Sequence, residues 1–245
     1  MSADVQSVVR AMDLLELLRG AGALGVSDLS TELGLPVATT HRLARTLVSQ
    51  GLVSQLPDRR YGLGARLVSL GIAANELLGA RSRPVLTALA RDLAESANLA
   101  TLTGGVIEYV AQVPGPQSLR MFTEVGRRVP VHSTGVGKAI LARMDDAAVL
   151  EILRERGMPS ATPQSITDPQ QMLEELARIR EVGYAIDEGE MEVGVRCIAV
   201  AIDSDAPMGV SVSGPSTRLS GQALDLAIPR VLAAAEHLRA VYSPG

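Results

Sequence analysis

Apolar residues in the first part of the chain recur at helical spacing. Val8, Met12 and Leu15 fall at i, i+4 and i+7, and Leu18 extends the stripe, which predicts a helix over 5–19. Gly20, Gly22 and Gly25 break it. Ser27 is placed to cap a short second helix, DLSTEL, ending at Gly34. Pro36 suits the first turn of a third helix that runs to about Gln50. LVSQLPDRRYGLG then reads as two short strands around a Pro-Asp turn. Three helices followed by a hairpin is the order of a winged helix-turn-helix.

Leu67, Leu70, Ala74 and Leu77 stripe a helix over Gly64–Leu78, and Val85, Leu89 and Leu93 another over Arg83–Asn98. Beyond it the pattern alternates. A hairpin is expected around Gly104–Gly105, with extended runs in SLRMFTEVG and RRVPV. Gly137–Met144 and Ala147–Arg156 read as helices, and Thr167 to Gln170 open a capped helix to Val182. YAID, VRCIAVAID and MGVSVSG read as strands, and Gln222–Tyr242 as a closing helix. This mixed order predicts an α+β fold in three parts. Residues 1–63 form the winged helix-turn-helix, 64–80 a linker and dimerisation helix, and 81–245 a second domain with an antiparallel sheet flanked by helices.

Composition narrows the class. Of 245 residues, 47% are hydrophobic and 20% charged, a globular balance. There is no apolar run long enough for a membrane span and no signal-peptide order at the N-terminus, so a cytoplasmic protein is expected. The single cysteine, Cys197, excludes an internal disulfide, and no Cys/His cluster suggests a metal. The net charge of −4 argues against a nucleic-acid partner until its distribution is considered. Residues 36–66 carry five arginines against Asp58 alone, a local basic stripe. Phosphate attraction is screened beyond roughly 8–10 Å, so that stripe can act within an acidic chain.

On a helical wheel of the third helix, Thr40, Leu43, Ala44 and Leu47 cluster inward, while Arg42 and Arg45 face out and Thr39 and His41 flank them. Small, hydroxylated and arginine side chains suit entry into a major groove, where arginine pairs with guanine. Arg59 and Arg60 at the hairpin tip suit phosphate or minor-groove contact. The alternative is a solvated amphipathic helix in a module that contacts protein, sensing a metabolite without binding an operator.

VQSVVRAMDLLELL, LGVSDLSTELGLPVATTHRLARTLVSQGLV and RRYGLGARLVSLG together resemble the N-terminal domain of the IclR family of bacterial transcriptional regulators. VGRRVPVHSTGVGKAILA, the stretch from TPQSITDP to VRCIAVAI, and MGVSVSGPSTRLS resemble that family's effector domain, so the likeness covers nearly the whole chain. It implies a double-stranded DNA operator, a homodimer or dimer of dimers, a GAF-like effector domain with a curved sheet, no cofactor and no catalysis. It also implies a small polar or carboxylate effector on one sheet face. Backbone N–H groups at Gly135 and Val136 would hold it, with the side chains of Asp187, Cys197, Ser211 and Ser213. Met121, Val129 and Val195 would line the pocket. The stretch RMFTEVGRRVPVHSTGVGKAIL, the serine pair and Cys197 are most similar to members that sense glyoxylate or ureides such as allantoin.

The residues support part of this independently. Ser211 and Ser213 are two apart and share one strand face, with Val210 and Val212 on the other. Plainer readings stand beside it: Cys197 as core packing, Asp187 as a turn cap, Lys138 as a surface or helix-end residue. STGVGKA fails as a phosphate loop, because His132 and Ala139 stand where that motif needs glycine and a hydroxyl. Cys197, His132 and Asp187 could compose a nucleophile, base and orienter only if the fold brought them together.

Overall fold

The computed structural model describes residues 5–75, 79–118, 121, 124–204 and 206–242. The first helical stripe becomes α1 (Gln6–Ala21), which buries Leu14, Leu15 and Leu18. Val8 and Met12, earlier in the same stripe, stay exposed. β1 (Ala23–Leu24), α2 (Val26–Leu33), α3 (Val37–Ser49), β2 (Val53–Gln55) and β3 (Tyr61–Leu63) follow. α2 starts ahead of Ser27, so Ser27 is not its cap. Asp28 reaches back to the Gly25 N–H at 3.3 Å instead. β1 and β2 flank β3 in an antiparallel sheet of order β1-β3-β2. The core beneath holds Leu14, Leu18, Leu29, Ala44, Leu47, Val53 and Tyr61. α4 (Arg66–Asn75) begins where Arg66 Nη1 donates to the Gln50 carbonyl at 3.0 Å, satisfying an oxygen at the end of α3. The expected continuation of this helix over 76–78 lies outside the described residues.

The chain divides into two compact units between residues 74 and 75. In the second, α5 (Arg81–Leu93) ends at Ala94, which takes a left-handed φ of 54°. The expected helix to Asn98 is therefore too long. Residues from Ser96 onward form β4 (Ser96–Thr103), which is paired on both sides by β5 (Val106–Val113) and β9 (Met208–Pro215). Two ladders of backbone hydrogen bonds outweigh the weak helical stripe there. β6 (Arg128–Pro130), α6 (Gly135–Leu141), α7 (Asp146–Arg156) and α8 (Pro169–Val182) come next, then β7 (Ala185–Asp187) and β8 (Val195–Ile202). α9 (Gln222–Tyr242) ends the described chain. Asp168 alone caps α8, accepting from the Gln171 N–H at 2.9 Å, with Pro169 in the first turn. The extended run expected at 118–126 falls in part on residues 119, 120, 122 and 123, outside the described set.

The six strands run in the order β6-β5-β4-β9-β8-β7, every pair antiparallel, and the sheet curls as a half-barrel. Successive side chains alternate between its faces. Leu99, Ile198, Val200, Val210 and Val212 pack one face against Leu86 of α5 and Val231 and Leu238 of α9. Ala100, Tyr109, Cys197 and Ala199 turn to the other face, with Ile140 of α6, Val149 of α7 and Leu176 of α8. One irregularity matters for the site. Leu99 pairs with Ala111 but Ala100 pairs with Tyr109, so β5 carries an extra residue at this point. Such a bulge re-aims the side chains beyond it. Here it puts Tyr109 on the opposite face from Ala111.

Candidate functional site

The outward surface of the first unit is built by α3 and the β2–β3 hairpin. Thr40, Ala44 and Leu47 are buried, and Thr40 satisfies its hydroxyl on the Pro36 carbonyl at 3.3 Å. His41, Arg42 and Arg45 are exposed and Thr39 is half-buried, so the four share the accessible side of one helix. Arg59 and Arg60 are exposed at the hairpin tip. The tip is tight: the Leu56 N–H donates to the Arg60 carbonyl at 2.8 Å, the Arg59 N–H to the Leu56 carbonyl at 2.9 Å, and Arg59 adopts a φ of 66°. Arg60 Nε also donates to Asp58 Oδ2 at 2.7 Å, which holds the Asp58 carboxyl below its usual range.

The second unit carries a cavity of about 50 Å³ on the sheet face opposite α5 and α9. Met121, Val129, Gly135, Asp187, Val195, Cys197 and Ser213 line it, with Tyr109, Arg127, Thr134, Met191 and Glu192. The register explains the gathering. Asp187 lies opposite Cys197, Cys197 opposite Ser213, and Ser213 opposite Ser96, giving one polar row across four strands. Gly135 closes over this row: a Cβ there would stand 3.1 Å from Cys197 Sγ. The turn before α6 is set by Thr134, whose hydroxyl accepts from the Gly137 N–H at 3.2 Å. Gly137 itself tolerates no side chain, because a Cβ would meet the Val131 carbonyl oxygen at 2.0 Å.

Two expected residues do not line the cavity. Val136 is fully buried, and its Cγ2 would lie 2.7 Å from a Cβ on Gly209. Ser211 is fully buried one row beyond Ser213, opposite Ala199 and Asn98. Lys138 is not the surface residue expected. It is 1% exposed, and its Nζ meets the Glu190 carboxylate, Glu175 Oε1 at 3.2 Å and the Ile186 carbonyl at 2.7 Å. This ties α6 to α8 and to the turn after β7. Asp187 does cap that turn, accepting from the Glu190 N–H at 2.7 Å, while Thr162 and Ser165 hold the Glu190 backbone carbonyl from outside.

Burial sets the charges in the cavity. It pushes the Asp187 carboxyl up to about 6, with the Glu190 N–H pulling the other way. It pushes the Cys197 thiol up to about 11 and the Tyr109 phenol well above its usual range. The Asp187 carboxylate adds to the Cys197 rise; the Ser213 and Ser211 hydroxyls beside the sulfur oppose it. A thiol held neutral is a poor nucleophile. His132 is engaged elsewhere, its Nε2 on the Pro159 carbonyl at 3.1 Å, and it lines a different cavity with Arg128 and Arg156. No nucleophile–base pair forms between Cys197 and His132 among the described hydrogen bonds. What the row offers is hydroxyl, thiol and carboxyl groups for binding, with the exposed Arg127 as a cation among the lining residues.

Sequence reasoning missed Tyr109, Arg127, Thr134, Met191 and Glu192. Thr134 and Arg127 sit inside segments already singled out, Thr134 beside Gly135 and Arg127 two residues before Val129. Tyr109 carried no local signal, because the bulge decides its face.

A helix-turn-helix surface in one unit and a small polar cavity in the other define a ligand-responsive DNA-binding regulator. The IclR helix-turn-helix domain matches residues 7–57, and the bacterial transcriptional regulator IclR C-terminal domain matches residues 73–240. The chain belongs to the IclR family of bacterial transcriptional regulators, and its relatives are regulators rather than enzymes. It is 32% identical over 243 residues to the HTH-type transcriptional regulator BhcR of Paracoccus denitrificans, covering 97% of this chain and 87% of that protein. It is 31% identical over 248 residues to the transcriptional repressor IclR of Escherichia coli, covering 97% and 90%. A crystal structure of an IclR-type regulator from Silicibacter sp. TM1040 superposes with a TM-score of 0.86 at 29% identity, covering 97% of each chain. Among the described residues no helix is long and apolar enough to cross a membrane, and no cluster of metal-ligating side chains forms.

Proposed function

We propose that this chain is a repressor that grips an operator through α3 and the hairpin, and that a small polar or carboxylate metabolite in the second unit's cavity releases it. Glyoxylate and ureides such as allantoin are the effectors to test first. The observation that carries this reading is convergence: seven residues singled out from the sequence, between positions 121 and 213, line one cavity. Its size favours a molecule of a few heavy atoms, since drug-sized sites run to roughly 300–1,000 Å³. In the first unit, Thr39, His41, Arg42 and Arg45 are the base and phosphate readers, and Arg59 and Arg60 the hairpin contacts.

An operator with two half-sites calls for a symmetric homodimer or dimer of dimers. The 64–80 segment is the proposed linker and contact, because α4 exposes Val68, Leu70 and Ile72. The effector acts by its differential affinity for DNA-competent and incompetent arrangements. Selection of operator sequences from a random pool at fixed salt, followed by titration with glyoxylate and with allantoin, tests the whole scheme. Sequence-specific binding weakened by one of these ligands is expected. Binding without sequence preference at any salt concentration refutes it.

A further inference from the structure

Stability alone does not call for a cation in the interior of the second unit. Lys138 is 1% exposed, and taking an ammonium group out of water is costly. An apolar side chain of similar volume often serves a core as well or better. What lysine adds is direction. Its ammonium carries three donors. All three are spent, on the Glu190 carboxylate, on Glu175 Oε1 at 3.2 Å and on the Ile186 carbonyl at 2.7 Å.

These contacts join two walls of the small polar cavity. Lys138 sits one turn after Gly135 on α6, and Gly135 closes over Cys197. Ile186 precedes Asp187, the carboxyl that lines the cavity, and the Glu190 N–H is the donor that Asp187 accepts. The Glu190 carboxylate has little else to hold it. Its Oε2 is buried with no hydrogen-bond partner among the described residues. Thr162 and Ser165 grip only the Glu190 backbone carbonyl, from the chain ahead of α8. Glu175 pairs with Arg178 at 2.8 and 2.9 Å, so α8 keeps its own ion pair without the lysine.

We propose that Lys138 is a positioning residue for this cavity. From α6 it fixes the spacing between Gly135 and Asp187, and so keeps the helix start closed over Cys197. Lys138 does not line the cavity and touches no ligand in it. The proposal rests on the effector-cavity reading for its role in sensing, but the closure is testable with no effector present.

Cys197 is the chain's single cysteine and is buried beneath Gly135, so its alkylation reports closure at one atom. The alkylation rate is measured at fixed pH and increasing, sub-denaturing urea on full-length wild type, Lys138→Met, and Lys138→Met with Glu190→Gln. Lys138→Met should label at least about tenfold faster than wild type, at a rate insensitive to urea, because local opening exposes little surface. A wild-type rate overturns the proposal. So does a rate that climbs with urea as steeply as unfolding, since that reports lost stability alone. Should Lys138→Met fail to fold, the double variant, in which Glu190 carries no charge, has the same expectation and the same refutation. Glyoxylate and allantoin then separate the two readings. A ligand that slows wild-type labelling should bind Lys138→Met at least about tenfold more weakly, since the spacing it needs is lost. Equal affinity in the two proteins overturns the proposal. If neither ligand slows wild-type labelling, the effector reading fails, while urea-insensitive opening in the lysine variant still upholds the role of Lys138.

Discussion

Asp187 accepts the Glu190 backbone N–H at 2.7 Å while the Glu190 side chain holds Lys138. The carboxyl group that lines the small polar cavity is thus also the brace of the turn behind it. Its height relative to an ordinary carboxyl, up to about 6, comes first from burial. An acid raised on folding holds its proton in the folded chain between about pH 4 and 6 while the unfolded chain has lost it. Its contribution favours the fold below that window and is lost as the pH rises through about 6.

The same proton governs an anionic effector. Protonated Asp187 can donate to a carboxylate, whereas ionised Asp187 repels it. Glyoxylate affinity should fall as the pH climbs through about 6, and Asp187→Asn, which keeps an acceptor for the Glu190 N–H, should flatten the profile. Titration calorimetry between about pH 5 and 8 checks this, and a flat wild-type profile contradicts it.

Lys138→Met removes the cation facing Glu190 and Glu175. Breaking a buried pair from one side costs about 3–5 kcal/mol, because a desolvated charge is left without compensation. Denaturant unfolding of the effector unit should show that loss. Adding Glu190→Gln to Lys138→Met should recover part of it.

Gly137→Ala places a methyl group 2.0 Å from the Val131 carbonyl oxygen, a contact only backbone movement relieves. Overpacking of this kind costs about 1–3 kcal/mol. The melting temperature should drop, and effector affinity should drop with it, because the same turn positions Gly135 over Cys197. A variant that melts lower but binds normally would show that the turn does not shape the cavity.

Arg42→Ala with Arg45→Ala should weaken operator binding, by about 1–3 kcal/mol for each base contact removed. Fluorescence anisotropy at constant salt reads the loss. Effector affinity should be unchanged, and unchanged operator affinity would move DNA reading off α3.

The parts legible in the sequence are those governed by local periodicity. Thr40 reads as inward from the wheel alone, and it is fully buried. Ser211 and Ser213 read as one face because a strand alternates. Illegible parts depend on distant partners. In VIEYVAQV, strict alternation puts Ile107, Tyr109 and Ala111 together; the bulge against β4 splits them between two cores. The burial of Lys138 is decided by Glu175 and Glu190, 37 and 52 residues further along the chain. Residues 96–98 look like the end of a helix until β9 is present to pair with them.

Strands β8 and β9 write two messages in alternate letters. Positions 198, 200, 210 and 212 spell the apolar core toward α5 and α9, while 197 and 213 spell the lining of the small polar cavity. Point substitutions at 197 and 213 can therefore change the cavity while leaving the packing against α5 and α9 in place. Gaining or losing a single residue within either strand would instead exchange the two messages, sending hydroxyls into the core and valines to the ligand.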